Sequence, residues 1–187
     1  MAGNPGNERK QRGNRWRIAA WTAAALLLLL PLIAMQFTDE VVWDVADFVV
    51  FGALMLGAGV AFELAAKKTG NAAYKTGVGL ALAAAFLLVW VNGAVGIIGS
   101  EDNDANLMYF GVLAVGLIGA LIARFEPQGM ARAMIATAGA QVLVFVIALV
   151  AGWGFTGPIT FFFLAFWVVS ARLFQNAARG EPERSAV

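Results

Sequence analysis

The sequence predicts an all-α membrane protein with six transmembrane helices, and three observations carry that prediction. The 187-residue chain is 60% hydrophobic and only 13% charged, whereas soluble domains run nearer a quarter charged. Its apolar stretches are long enough to cross about 30 Å of hydrocarbon, which takes roughly 20 helical residues. The charge sign also alternates from one polar break to the next. All 13 Lys and Arg fall before the first apolar run or in the breaks near residues 67–75, 124–132 and 172–184. The intervening breaks carry only acids (Asp39, Glu40, Asp44 and Asp47, then Glu101, Asp102 and Asp104) or no charge at all. By the positive-inside rule the basic breaks and both termini are expected in the cytoplasm.

The elements follow in order. Residues 1–16 read as an unstructured basic tail, with Arg9, Lys10, Arg12 and Arg15 orienting the first span beside anionic headgroups rather than binding nucleic acid. Ile18 to Thr38 holds 21 uncharged residues, longer than a signal-peptide core of about 7–15, so helix one is expected at 17–37 as a retained anchor. Helix two is expected at 43–66. Only Phe48 to Phe62, 15 residues, is charge-free there, which draws Asp47 and Glu63 toward the two interfaces. Glu63 has Lys67 at i+4 as a helical partner. Lys75 to Glu101 encloses 25 uncharged residues and Asp104 to Arg124 encloses 19, giving helices at 76–99 and 105–124. Ala133 to Ala171 is a run of 39, too long for one span. The turn formers Gly152-Trp153-Gly154-Phe155-Thr156-Gly157-Pro158 divide it, into helices at 130–151 and 158–175. Residues 176–187 then form a second cytoplasmic tail.

The simplest arrangement is three helical hairpins, pairing one with two, three with four and five with six. A short repeat supports it: residues 46–57 align with 105–116 at an offset of 59, matching an alanine, a phenylalanine, a leucine and two glycines. Gly93, Gly96 and Gly99 recur every three residues and read as a close-packing face, because small residues let helix backbones approach in lipid. Trp16, Trp21, Trp43 and Trp153 fall where an interfacial aromatic belt would lie, and Trp90 and Trp167 lie deeper as packing residues.

Candidate polar residues gather on the acidic side. Asp47 lacks a nearby cation in sequence, and Asn92 is the most interior polar residue of helix three. The two are expected at similar depth, so that a joint pocket for a hard cation is conceivable, with Asp44, Asp102 and Asp104 as further oxygen ligands. Asp102-x-Asp104-x-Asn106 resembles the opening of an EF-hand, but Leu107 stands where that loop needs Gly and Leu113 where it needs Glu. The plainer reading makes these acids partners of the helix macrodipole, with Asp104 capping helix four. Gln141, near mid-depth of helix five, reads as interhelical glue.

The chain has no Cys and no His, which removes disulfides, Cys/His zinc sites, His-ligated haem and thiol nucleophiles. No Gly-x-Ser-x-Gly, His-Glu-x-x-His or phosphate loop occurs, so neither enzymatic activity nor a cofactor is expected. The stretch Trp90-Val91-Asn92-Gly93-Ala94-Val95-Gly96-Ile97-Ile98-Gly99-Ser100-Glu101-Asp102-Asn103, continuing into Ala105-Asn106-Leu107-Met108-Tyr109, is similar to small, uncharacterised bacterial inner-membrane proteins. That resemblance covers roughly a tenth of the chain; it implies a multi-pass place in the bacterial inner membrane and assigns no site roles. The functional expectation is a non-catalytic structural, assembly or stress-related membrane protein whose partners are the lipid bilayer and a packing helix or second copy. The alternative is a small channel or transporter component for a cation.

Overall fold

The computed structural model describes residues 5–39, 42–100 and 102–185, with the side chains of residues 5–16, 20 and 181–185 left aside. Glu40, Glu101 and the Trp16 indole, each invoked above, lie outside that description. The chain is 82% helical. Its helices are α1 (Pro5–Ala34), α2 (Val45–Lys68), α3 (Ala72–Ala94), α4 (Met108–Ile122), α5 (Pro127–Val150) and α6 (Gly157–Ser185), with a 3-10 helix at Asp104–Leu107 before α4. Six segments are long and apolar enough to cross a membrane. The protein is an all-α, multi-pass membrane protein.

Local chemistry explains where the helices begin and end. The α1 helix begins at Pro5, ahead of the expected residue 17, and carries its basic residues in helical conformation. The Asn71 side chain caps α3 by accepting the Tyr74 N–H at 3.2 Å, so α3 starts before Lys75 instead of after it. At its other end α3 stops at Ala94, short of residue 99. Gly96 then adopts φ +68° and its N–H donates to the Asn92 carbonyl at 3.2 Å, a left-handed stop that favours glycine. Gly96 and Gly99 are therefore loop residues, and Gly93 has no neighbour within 4 Å of where a Cβ would stand. The expected glycine packing face is absent because the helix ends inside it. Between α5 and α6 the turn formers act as expected, with Gly152 at φ +70° and Gly154 at φ +117°.

The chain divides into two units with the boundary inside α2, one ending at Val60 and the other beginning at Ala61. In the first, Trp21 of α1 lies under Gly59, where a Cβ would stand 2.6 Å from the indole. Trp43 meets Phe48 and Phe51 edge-on at 5.0 and 5.4 Å. Phe51 is the buried residue of α2; Leu26, Leu27, Leu29, Leu30 and Leu32 of α1 are exposed, while Leu28 lies against Gly52. An outward apolar surface is what a lipid-facing helix requires.

The second unit holds a ring of four helices. α5 packs between α4 and α6, and α6 packs on α3; α3 and α4 touch only slightly. The five–six hairpin is realised, whereas α3 and α4 are joined by a loop and take their main packing from other helices. Buried α6 residues Phe163, Trp167, Ser170, Ala171, Phe174 and Ala177 recur at helical spacing on one face. Small residues set the approach. Gly77 meets Leu173 and Phe174, while Gly116 lies against Thr137 and Gly119 against Ala133. At the first of these contacts the Ser170 hydroxyl donates to the Gly77 carbonyl at 2.8 Å.

The basic end is tied by side chains reading backbone carbonyls. The Tyr74 hydroxyl donates to the Phe125 carbonyl at 2.6 Å and the Lys68 ammonium to that of Arg124 at 3.0 Å. The carbonyls belong to the α4–α5 turn, where Arg124 and Phe125 hold φ +50° and +62°. Left-handed backbone costs a non-glycine residue about 1–2 kcal/mol, so these two contacts help to hold the turn in place. Asn71 Nδ2 reaches the Ala177 carbonyl at 3.4 Å and adds α6 to the same tie.

Two glycines of α4 give a matched test. A Cβ on Gly119 would stand 2.8 Å from Ala133 Cβ and 3.2 Å from its Cα, whereas Gly111 has open space. Gly119→Ala is expected to lower stability by roughly 1–3 kcal/mol through overpacking against backbone. Gly111→Ala should cause no loss. Thermal unfolding in detergent distinguishes them, and equal behaviour of the two variants would refute the close-approach account.

Candidate functional site

The acidic segments before α2 and between α3 and α4 are each organised by side chains that bind backbone. At the start of α2, Asp44 occupies the cap position and Asp47 is the third helical residue. The Asp47 N–H donates to Asp44 Oδ1 at 3.0 Å, and the Asp44 N–H donates to Asp47 Oδ2 at 2.9 Å. This reciprocal pair is a capping box built from two aspartates. Both carboxylates are exposed and both favour the positive end of the helix macrodipole.

The loop between α3 and α4 is organised around Asn106, which is 4% exposed. Its Oδ1 accepts the N–H groups of Ile97 and Ile98 at 3.0 and 2.8 Å. Its Nδ2 donates to the carbonyls of Ile98 and Ser100 at 3.3 and 2.7 Å. Those four bonds use the two donors and two acceptor sites of a carboxamide. The backbone carbonyl of Asn106 in turn accepts from Asn92 Nδ2 at 3.1 Å. Asn103 caps the 3-10 helix by accepting the Ala105 N–H at 3.0 Å. Asp104, expected to cap the fourth helix, is instead the exposed first residue of that 3-10 helix, and α4 has no side-chain cap. An intervening 3-10 turn moves the cap position to Asn103.

The sequence candidates are thus distributed. Asp44 and Asp47 come together, with each other. Asn92 joins Asn106, and Asp102 and Asp104 stand exposed in the loop. Asp47 and Asn92 belong to different units, and each has its own local partner. Among the described residues, no three acids converge into a group able to hold a metal ion.

A second polar set lies inside the four-helix ring. Asn92 Oδ1, the hydroxyls of Tyr109, Thr156 and Thr160, both polar atoms of the Gln141 carboxamide and the Trp167 indole N–H are buried without a hydrogen-bond partner. The Tyr109 hydroxyl lies beside Thr156 without reaching hydrogen-bond geometry. A buried polar group without a partner costs about 1–3 kcal/mol.

Asn106 enters the sequence argument only as the third position of the Asp102-x-Asp104-x-Asn106 pattern, and its role in holding the loop is not among the expectations. A signal for it existed, since the repeat at offset 59 sets Asn106 in register with Asp47. Each stands near the start of a helix and binds the backbone that leads into it.

Asn106→Leu keeps the volume but removes all four side-chain bonds. It is expected to lower the melting temperature strongly, each stranded buried group costing about 1–3 kcal/mol. Amide exchange at Ile97 and Ile98 should accelerate in step. Asn106→Asp, which keeps the two acceptor bonds and loses the donors, should fall between. Unchanged protection of those two amides in the leucine variant would remove Asn106 from its organising role.

In comparisons with known proteins, the chain matches no family model, no curated protein and no solved structure.

Proposed function

We propose that this protein is a non-catalytic structural or assembly element of the bacterial inner membrane, with both termini in the cytoplasm. One observation carries the reading. Three of the polar residues that stand out in the sequence bind backbone at helix ends: Asp44 and Asp47 reciprocally, and Asn92 at the Asn106 carbonyl. Helix contacts through Gly77, Gly116 and Gly119 add to it, because such close approaches make a rigid bundle. The orientation rests on the placement of all 13 cations in alternate breaks. Apolar faces of α1 and of the first part of α2 suit lipid, a packing helix or a second copy of the chain.

A second reading, a small channel or transporter component for a cation, is favoured by the unpaired polar atoms inside the ring. The Asn92, Gln141, Thr156 and Thr160 oxygens are the ligand type that a partly dehydrated cation accepts.

Reconstituted vesicles separate the two. Under the structural reading, cation flux should not exceed that of protein-free vesicles. Asp44→Ala should lower stability by about 1 kcal/mol through loss of the cap, to the same extent with and without divalent cations. Flux above background that Thr160→Val or Gln141→Leu suppresses would overturn the structural reading in favour of transport. For the orientation, reporter fusions at Asn103 and Gln128 should lie on opposite sides of the membrane, with Gln128 cytoplasmic. Finding both on one side contradicts the topology.

A further inference from the structure

A groove of about 760 Å³ runs between α5 and α6 at the basic end of the ring, lined in part by Gln128, Arg132, Gln175 and Arg179. The sequence places these four in a regular pattern. On each helix the pair is four residues apart and so shares one face. Gln128 and Arg179 are each 22 residues from the helix ends that the turn connects, and Arg132 and Gln175 are each 18. In an antiparallel hairpin, equal distance from the turn means equal depth. The groove therefore has two levels, about 6 Å apart along the axis, each with one guanidinium and one carboxamide. Ala131, Ala136 and Ala178 contribute to its floor, and their small side chains leave it open.

We propose that this groove seats the phosphate headgroup of an anionic phospholipid. Charge complementarity is the first argument. Two guanidiniums line the groove, and among the described residues no carboxylate does. Planar arginine forks match phosphate oxygens two at a time, and the carboxamides supply neutral donors beside them.

Position is the second argument. Arg132 lies five residues inside α5 from Pro127, about 8 Å along the helix, which suits the headgroup layer. Basic pockets between helices at that level are suited to anionic headgroups.

Continuity with an apolar furrow is the third argument, and it selects a lipid over a free anion. The α5 face that carries Gln128 and Arg132 continues through Ile135, Val142 and Val146, all exposed. The matching α6 face continues from Arg179 and Gln175 past the exposed Arg172 to Val168 and Phe161, also exposed. Acyl chains leaving a headgroup held between the arginines would lie along that furrow. This assignment does not depend on whether the protein is structural or a transporter.

The test uses the full-length protein in mild detergent, with melting temperature and native mass spectrometry as readouts. Phosphatidylglycerol is expected to raise the melting temperature and to remain bound, whereas phosphatidylcholine and inorganic phosphate should do neither. Arg132→Gln with Arg179→Gln should weaken phosphatidylglycerol binding by about tenfold or more, since the charge-assisted bonds to the phosphate are lost. The same double variant should melt like the parent in phosphatidylcholine, which separates lost binding from lost folding. Lys67→Gln with Lys75→Gln removes two charges elsewhere and should keep the lipid effect. Equal stabilisation by both lipids, or a phosphatidylglycerol effect that survives in the arginine variant, would overturn the proposal. Stabilisation by inorganic phosphate equal to that by phosphatidylglycerol would show a free-anion site and would also overturn it.

Discussion

Every peptide group that leaves a helix near the membrane must find a partner, and the α3–α4 connection depends on how Asn106 meets that demand. Backbone polar groups are costly to leave unpaired away from water. Residues 95–100, 102 and 103 lie outside any helix, and Ile98 among them is fully buried. Asn106 replaces the missing helical bonds with its own carboxamide, binding two N–H groups and two carbonyls of that segment. The segment can then fold inward, place Ile98 in the core and deliver the chain to α4.

The other end of the ring uses different residues for the same purpose. Tyr74, Lys68 and Asn71 each donate to a backbone carbonyl on another element. Between the ends, the helix contacts are made by small residues and aromatic side chains, with Tyr74 and Phe174 edge-on at 5.2 Å. In lipid, apolar burial gives little preference for one helix neighbour over another, because the solvent is itself apolar. Neighbour choice then falls to shape at Gly77, Gly116 and Gly119 and to directional bonds at the ends. This accounts for α6, rather than α4, being the main neighbour of α3. Gly77 and the Ser170 hydroxyl make a specific fit, and the Asn71 carboxamide adds a second bond to α6.

How much of this was legible in the sequence depends on which force writes it. The number of spans follows from hydrophobic length, and all six were readable. Boundaries were less so, because charges mark where water begins and not where a helix stops. Lys75, Arg132 and Arg172 all lie within helices, since their long side chains can reach water from inside the span. Gly96 and Gly99 carried the spacing of a packing stripe, and only their positive φ separates them from one. The capping aspartates were readable in principle from Asp44-x-x-Asp47. The Asn106 network was not, because four of its bonds join residues six to nine apart across an irregular loop. Arg132 and Arg179 come to one groove only when the hairpin closes, and nothing local in either stretch announces the other.

The pairing of α3 with α6 also fixes an order of events as the chain is made. α3 starts at Ala72 and its main neighbour starts at Gly157, so α4 and α5 are made between them. Until α6 emerges, the Gly77 carbonyl lacks the Ser170 hydroxyl and the apolar face around Leu88 has no lasting neighbour. A nascent chain halted after α5 therefore carries an α3 whose Gly77 face, covered by Leu173, Phe174 and Ser170 in the finished protein, is still open. The contact that closes the ring is therefore the last that chain order allows.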